Sequence, residues 1–340
     1  MQNKINLGII GKNIGYHVIY KAFLKNKKYK IKGFSFRSQK IEKLKIPKDI
    51  NIYSSWKKLI LNKKINAVAV AAPPVLHKSI IKFAIKNNKH VFCEKPFTCS
   101  YKEANFICNL IKRKKSLSHM VNYEFAEIDA FSFFKKKIIN NIKINRIYLN
   151  WFINMNKRSS TNWKENHSKG GGIIFNYICH AIYYLEFLFG KIVSIQTNIF
   201  LGEKSRIKTL EGIVFFNNGL SAQLNIKVGL IKKKFNPIHQ LKILSDKKTY
   251  ILKTNLDSLS NKFKLITFNK NLNKSNSILF KGEKNLDDFR IKPTFQNSKK
   301  FATWILKGKT QAPNLFDAQR VHLIIDKMMI SSKKKSKIYI

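Results

Sequence analysis

Short apolar runs alternate with amphipathic segments over the first third of the chain. The apolar runs predict β-strands at residues 5–10, 30–36, 66–72, 90–93 and 116–121. The intervening segments place apolar residues at helical spacing near residues 15–25, 55–62, 75–87 and 100–114. Strands that alternate with helices in this way form a parallel sheet with helices on both faces. We therefore predict an α/β domain over residues 1–122, with its ligand at the edge of the sheet where the strands end.

The pattern changes after residue 122. A helix near 127–142 leads to a long strand at 146–155, and a second amphipathic helix follows near 172–188. Alternating strands separated by turn signals then extend from residue 191 to about 280, and helices near 294–307 and 316–331 close the chain. Residues 123–340 are therefore predicted to form an α+β domain with a largely antiparallel sheet.

Basic residues greatly outnumber acidic ones, with 66 Lys and Arg against 18 Asp and Glu, for a formal net charge of +48. Such a charge is typical of nucleic-acid binding. However, only seven of the basic residues are arginines, the residue that reads bases and phosphates with a bidentate fork. Lysine is spread through every segment together with Asn and Ile, which is typical of A/T-rich codon usage. We therefore predict no nucleic-acid partner, and a positive field that attracts anionic cofactors and substrates.

The sequence also bears on the location of the protein. No apolar run approaches the roughly 18 residues of a membrane-spanning helix, and the first residues run directly into a strand. We therefore expect a cytoplasmic protein with no membrane partner.

The four cysteines form no CxxC pair and no Cys/His set with zinc-ligand spacing, so we predict reduced, mostly buried thiols and no metal.

A glycine turn follows the first predicted strand. The strand INLGII is followed by GKNIG, which places Gly11 and Gly15 between the strand and a helix. In a dinucleotide-binding turn the first glycine permits the tight bend, and the helix N-terminus offers amides to the pyrophosphate. Asn13 replaces the middle glycine of that pattern, and asparagine tolerates left-handed backbone better than most residues. Taken alone, the turn fits either a dinucleotide site or a plain connection between strand and helix.

The end of the second strand bears on cofactor choice. The segment FRSQK lacks the acidic residue that binds the ribose hydroxyl in enzymes that prefer NAD. Arg37 and Ser38 suit a 2′-phosphate instead, so the expected cofactor is NADP, with NAD as the alternative. The competing interpretation of Arg37 is a solvated surface side chain.

Two longer segments carry more distinctive motifs than the glycine turn. The first is INAVAVAAPPVLHKSIIKFAIKNNKHVFCEKPFTCSYKEAN, with its proline doublet, its histidine and its Glu-Lys-Pro tripeptide. The second is GGGIIFNYICHAIYYLEFLFG, a triple glycine followed by a helix that carries a histidine. Both segments resemble the signatures of the Gfo/Idh/MocA oxidoreductases, the family of glucose-fructose oxidoreductase and inositol dehydrogenase. A third segment, FATWILKGKTQAPNLFDAQRVHLIIDKMMISS, is similar to the closing helices of that family. The resemblance implies a Rossmann dinucleotide-binding domain followed by a domain for substrate binding and oligomerisation.

The resemblance further implies hydride transfer between a nicotinamide and a carbinol or carbonyl carbon of a sugar, cyclitol or related polyhydroxy compound. It also implies a homodimer or homotetramer. Lys95, at the domain junction, and His180, the acid/base, are expected to be catalytic, with Tyr183 as a further candidate. The expected cofactor contacts are Gly11, Asn13, Ile14, Gly15, Arg37, Ser38, Ala72, Pro73, Pro74, His77, Glu94, Lys95 and Pro96. The expected substrate contacts are Lys95, Tyr123, Trp163, Asn176, Tyr177 and His180.

The helix that carries His180 departs from the family pattern. Asn176 stands where an aspartate is common, and Tyr183 stands where aspartate is frequent three residues after the histidine. On an α-helix, residues 176, 180 and 183/184 would share one face. Tyr183 either donates a hydrogen bond to the substrate or packs in the core. Because Asn13 and Asn176 depart from the pattern, a catalytically weakened regulatory protein of the same fold is the alternative to an active enzyme.

Overall fold

The computed structural model describes residues 4–36, 44–155, 169–202, 207–230, 237–255, 262–269, 274–280 and 288–340. The chain forms two compact units. The first contains Met1–Glu127, Asn166–Gly171 and Leu286–His322, and the second contains Ile128–Glu165, Gly172–Asn285 and Leu323–Ile340. Neither unit is continuous in sequence, because a segment near the C-terminus packs with the first.

A six-stranded sheet organises the described part of the first unit. Its strands are β1 Ile5–Ile10, β2 Tyr29–Ser35, β3 Asn51–Tyr53, β4 Ala67–Val70, β5 His90–Cys93 and β6 His119–Val121. They lie in the order β3-β2-β1-β4-β5-β6, and all neighbours pair in parallel. The strand order reverses beside β1, so the loops after β1 and β4 lie together at the position where such sheets bind nucleotides.

The helices of this unit begin where the sequence supplies a start signal. The elements are a π-helical turn Gly15–Tyr20 that continues as α1 Lys21–Leu24, α2 Trp56–Leu61, α3 Pro74–Lys86, α4 Tyr101–Lys112 and a 3₁₀ turn Glu124–Glu127. The hydroxyls of Ser55 and Ser100 accept hydrogen bonds from the backbone of α2 and α4. Pro74 occupies the first position of α3, where the missing N–H costs nothing.

The C-terminal segment adds two helices, α7 Ile291–Lys307 and α8 Leu315–Lys334. One face of α7 joins the core of the first unit, since Phe301 and Trp304 belong to the same buried cluster as β1. The Phe301 and Phe92 rings lie 5.7 Å apart. Helix α7 ends at Gly308, whose φ of +67° is left-handed.

A nine-stranded sheet dominates the described part of the second unit. Its strands are β7 Ile144–Met155, β8 Ile192–Leu201, β9 Ile207–Phe216, β10 Ser221–Leu230, β11 Ile238–Ser245, β12 Lys248–Thr254, β13 Phe263–Asn269, β14 Lys274–Phe280 and β15 Ile338–Tyr339. The order is β14-β13-β12-β11-β7-β10-β9-β8-β15. Only β7 and β10 pair in parallel among these described strands. The predicted largely antiparallel sheet is confirmed.

Helices pack against this sheet through aromatic side chains. They are α5 Asp129–Lys137, a 3₁₀ turn Ile139–Asn141, and a π-helical turn Ile174–Ile178 that continues as α6 Cys179–Phe189. The ring of Phe131 on α5 lies 5.0 Å from that of Tyr184 and 5.1 Å from that of Phe263. This cluster holds α5 and α6 against the sheet.

Several predicted bounds need correction. The helix expected at 127–142 ends at Lys137, and β7 begins at Ile144 rather than at residue 146. The short strands β3 and β15 were not predicted, because two or three residues carry no detectable alternation. None of the helices in the described ranges has the length and apolarity needed to cross a membrane.

Candidate active site

The turn after β1 requires glycine at its first position. Gly11 has a φ of +120°, and a Cβ atom there would lie 2.3 Å from the carbonyl oxygen of Ala71. Its N–H donates to the Ser35 carbonyl oxygen at 3.0 Å. Gly15 is different, since a Cβ atom would lie at an ordinary 3.4 Å from Ile9. Only Gly11 is therefore needed for the bend itself.

Asn13 does not adopt the left-handed backbone that the missing glycine suggested. It is exposed and lies with Ile14 in the helical turn before Gly15, and it is not among the non-glycine residues with positive φ. The helix therefore starts earlier than the glycine pattern implies, and an asparagine fits there without strain. Arg37 and Ser38, the residues proposed to select NADP, lie outside the described residues.

His77 connects the loop after β4 to the loop after β5. Its Nε2 lies 2.8 Å from the Ala72 carbonyl oxygen, and its Nδ1 lies 3.0 Å from the Pro96 carbonyl oxygen. A neutral imidazole donates to only one of two such carbonyls, whereas an imidazolium donates to both. Burial lowers the pKa of His77, although the bonds to both carbonyls oppose that effect. In either protonation state His77 contacts both predicted cofactor loops and so fixes the spacing between them.

The Glu-Lys-Pro tripeptide directly follows β5. Glu94 and Pro96 are buried, whereas Lys95 is partly exposed. On the other loop, Pro73 is exposed, Ala72 is partly exposed, and Pro74 is buried at the start of α3. Lys95 and Pro73 thus keep access to solvent at the carboxyl edge of the sheet.

A buried polar cluster lies beneath this edge. Asn122 Nδ2 donates to Glu94 Oε1 at 2.7 Å and to Thr294 Oγ1 at 2.9 Å, and Asn297 Nδ2 donates to Asn122 Oδ1 at 3.0 Å. Glu124 completes the cluster with Oε1 3.4 Å from Asn122 Nδ2. Sequence reasoning missed this arrangement because Thr294 and Asn297 come from α7, far along the chain.

Two other residues near β6 are buried. His119 is buried against Trp304, with ring centroids 4.6 Å apart, and burial lowers its pKa to about 4. Tyr123, predicted to contact substrate, is fully buried. His180 is buried to the same extent, and the contact of Tyr123 with substrate stays a prediction. Trp163, predicted to cover the substrate, lies outside the described residues.

The predicted catalytic helix lies in the second unit. His180 is 0% exposed, Tyr183 is buried, and Asn176 and Tyr177 are partly exposed. The turn Ile174–Ile178 is π-helical, so the α-helical spacing used to place residues 176 and 180 on one face does not apply across it. Turns of this kind within helices are frequent at functional sites.

His239 on β11 is the residue of this unit that sequence reasoning missed. Its ring stacks on Trp151 at 4.0 Å, and its Nε2 lies 2.9 Å from the hydroxyl of Tyr184 on α6. Burial lowers the pKa of His239 to about 3. A neutral His239 therefore holds α6 against the sheet. The alternation of buried and partly exposed positions along β11 is the sequence signal that could have identified His239 as buried.

The cysteines and the possible metal ligands complete the description of the site residues. Cys93, Cys108 and Cys179 are buried and Cys99 is partly exposed, as predicted for mostly buried thiols, and all four are free. Cys179 Sγ donates to the Phe175 carbonyl oxygen at 3.0 Å. No group of three or more His, Cys, Asp or Glu residues in the described ranges is arranged to hold a metal ion.

Comparison with known proteins covers both parts of the chain. Residues 5–123 match a family model described as "Oxidoreductase family, NAD-binding Rossmann fold", and residues 135–340 match "Oxidoreductase family, C-terminal alpha/beta domain". An uncharacterized oxidoreductase of Synechocystis sp. is 29% identical over 43% of this chain and 40% of its own length. The 2,7-anhydro-N-acetylneuraminate hydratase of Escherichia coli is 31% identical over 43% of this chain and 39% of its own length. The alignments thus span about two fifths of these curated relatives.

Solved structures show the same fold over the whole chain. Levoglucosan dehydrogenase in complex with NADH and levoglucosan superposes with a TM-score of 0.83, covering 99% of both chains at 17% identity. At that identity the likeness establishes the fold alone.

Proposed function

Because the chain belongs to the Gfo/Idh/MocA family of NAD-binding oxidoreductases, we propose that it is a nicotinamide-dependent dehydrogenase or reductase of a sugar, cyclitol or related polyhydroxy compound. The observation that carries this proposal is the edge of the parallel sheet. There the Gly11 turn, the loop after β4 and the Glu-Lys-Pro loop are built from the predicted cofactor residues.

These residues fit a dinucleotide. The Gly11 turn has no room for a side chain, which is the requirement of the first glycine in a dinucleotide-binding turn. The helix that follows presents its N-terminal amides beside that turn. When bound, the nicotinamide accepts or supplies the hydride. Among the remaining predicted contacts, Arg37 and Ser38 support NADP as the preferred cofactor.

The proton chemistry is assigned to two residues. Oxidation of a carbinol requires a group that takes the hydroxyl proton as the hydride leaves. We assign that proton to His180 and the orientation of the reacting oxygen to Lys95. The partial exposure of Lys95 suits contact with a substrate. Tyr183 is the alternative proton donor, and its burial also suits a packing role.

The sheet of the second unit supports a homodimer or homotetramer. Phe200 on β8 is 53% exposed and Ile213 on β9 is 39% exposed. Both side chains lie on one face, since Ile213 pairs with Gln196, four residues before Phe200 on the same strand. Exposed apolar residues that share a face are typical of interaction surfaces.

A cofactor titration combined with a turnover screen tests the proposed function. NADPH and NADH are each titrated into the purified protein, and both cofactor pairs are then assayed with a panel of sugars and cyclitols. Binding followed by turnover of at least one polyhydroxy compound is the expected result. Binding without turnover across the panel would instead support the weakened regulatory protein.

A further inference from the structure

Two glutamates are buried together beneath the edge of the parallel sheet. Glu94 is 4% exposed and Glu124 is 2% exposed. One nitrogen, Nδ2 of Asn122, lies 2.7 Å from Glu94 Oε1 and 3.4 Å from Glu124 Oε1. Two carboxyl groups that share one amide at these distances interact strongly, so their titrations are linked.

The charges around the pair do not balance if both carboxyls are ionised. Lys95 and Arg290 are the cations that act on both glutamates. Arg290 also donates from Nε and Nη2 to the two carboxylate oxygens of Asp288, at 2.9 and 2.6 Å, so Asp288 already matches its charge. His17 acts on Asp288 rather than on the pair. Lys95 therefore remains against two buried carboxyls, and a second uncompensated negative charge is costly in such surroundings.

The hydrogen bonds distinguish the two carboxyls. Burial raises the pKa of Glu94 as well, but Glu94 accepts the short bond from Asn122 and a backbone bond from Lys95, and both favour its ionised form. Glu124 has only the longer Asn122 contact, and within the described residues its Oε2 has no hydrogen-bond partner. Burial, followed by the charge of Glu94, raises the pKa of Glu124 to about 8. The retained proton therefore belongs on Glu124.

We propose that Glu124 is a positioning residue for Lys95: it carries a proton at neutral pH, which leaves Glu94 as the single negative charge of the pair that acts on the Lys95 ammonium. This inference rests on the proposed function of Lys95. When Glu124 ionises, the second negative charge draws the ammonium toward the pair and away from the substrate oxygen. Turnover is then expected to fall.

Thermal unfolding without cofactor or substrate tests the proton on Glu124 separately from catalysis. The folded-state pKa of Glu124 lies above the value of about 4.3 for an unfolded glutamate. The stability that this proton contributes is therefore fully present below about pH 4 and is lost as the pH rises through about 8. Glu124→Gln keeps the shape and cannot ionise. The Tm of this variant relative to the parent should rise by roughly 5 °C or more between about pH 5 and pH 8.5.

Glu127→Gln is the matched control, because Glu127 lies on the same 3₁₀ turn and forms an ion pair with Lys300. The Tm difference between Glu127→Gln and the parent should change little over this pH range, because Glu127 does not share the Asn122 amide with Glu94. If the Tm difference between Glu124→Gln and the parent also stays constant over this pH range, the proposal is overturned.

Carbon-13 NMR of protein labelled at glutamate carboxyls provides a second measurement on the parent itself. One carboxyl signal should titrate with a midpoint near pH 8. Glu94→Gln should lower that midpoint by roughly one pH unit, since it removes a neighbouring negative charge. The proposal fails if every glutamate signal titrates below about pH 6.

Kinetics then connect the proton to catalysis. For any accepted substrate, parent kcat should decline with a midpoint near pH 8, and Glu124→Gln should lack that decline while Glu127→Gln retains it. If the unfolding and NMR results hold but the decline persists in Glu124→Gln, the positioning role is wrong. If Lys95→Ala retains parental turnover, the proposed function of Lys95 fails instead, and the Glu124 proton remains established.

Discussion

Replacing Gly11 with alanine should strongly destabilise the first unit and abolish cofactor binding. A side chain at a φ of +120° costs about 1–3 kcal/mol. The new Cβ atom would also lie 2.3 Å from the Ala71 carbonyl oxygen, and only a shift of the main chain relieves that overlap. Overpacking of this kind costs a further 1–3 kcal/mol or so. The free energy of unfolding should therefore fall by roughly 2–6 kcal/mol.

Two other glycines serve to separate the cost of the left-handed backbone from the cost of the steric overlap. Gly308 has a φ of +67°, and a Cβ atom there would have nothing within 4 Å, so Gly308→Ala should cost only about 1–2 kcal/mol and leave cofactor affinity unchanged. Gly15 has ordinary contacts, so Gly15→Ala should be neutral or stabilising by up to about 1 kcal/mol. Urea unfolding and titration with NADH and NADPH measure both effects. If Gly11→Ala loses no more stability than Gly308→Ala, the proposed steric requirement of the turn is incorrect.

Three further predictions address the loops, the cofactor and the helix α6. His77→Phe should lower the free energy of unfolding by about 1–3 kcal/mol in urea, because it removes the ring nitrogens that contact two backbone carbonyls; an unchanged midpoint and slope would refute this. Arg37→Ala should narrow a several-fold preference for NADPH over NADH, because charge-assisted bonds to a phosphate contribute about 1.5–3 kcal/mol; equal affinities in the parent would contradict the expected NADP preference. The pKa of His239 is lowered to about 3 by burial, so stability should be lost as the pH falls from about 6.5 toward 3, by up to about 1.4 kcal/mol per pH unit. Parallel urea titrations of the parent and His239→Gln at several pH values measure this, and equal acid sensitivity would count against a buried neutral His239.

Most of the strands and helices of the first unit could be predicted from the sequence because their signals are local. Apolar runs marked β1, β2, β4 and β5, and apolar residues at helical spacing marked α2 and α3 to within a residue at each end. The packing of α7 on this unit could not be predicted. Phe301 contacts Phe92 across two hundred residues of chain, and no local pattern encodes that pairing.

The candidate site could likewise be predicted only in part from the sequence. Gly11, His77 and Lys95 belong to short motifs whose residue types carry the chemistry. The Asn122 amide that joins Glu94 to Glu124 became visible only in the structure, since its remaining partners come from α7. The π-helical turn before His180 was also missed, because the apolar periodicity of so short a turn does not distinguish it from an α-helix.

The most direct test of the proposed chemistry is turnover in variants of Lys95 and His180. The appearance or loss of reduced nicotinamide is followed with any substrate that the screen identifies. Lys95→Ala and His180→Ala should each lower kcat by roughly 100-fold or more, as expected for positioned acid/base groups. The double variant should be little worse than either single one, because both residues are proposed to act on one oxygen.

Cofactor affinity, measured in parallel, should change far less than kcat, and Lys102→Ala, at an exposed lysine of α4, serves as the control with parental turnover. A His180→Ala protein that turns over at near the parental rate would remove this histidine from the mechanism and make Tyr183 the next proton donor to test.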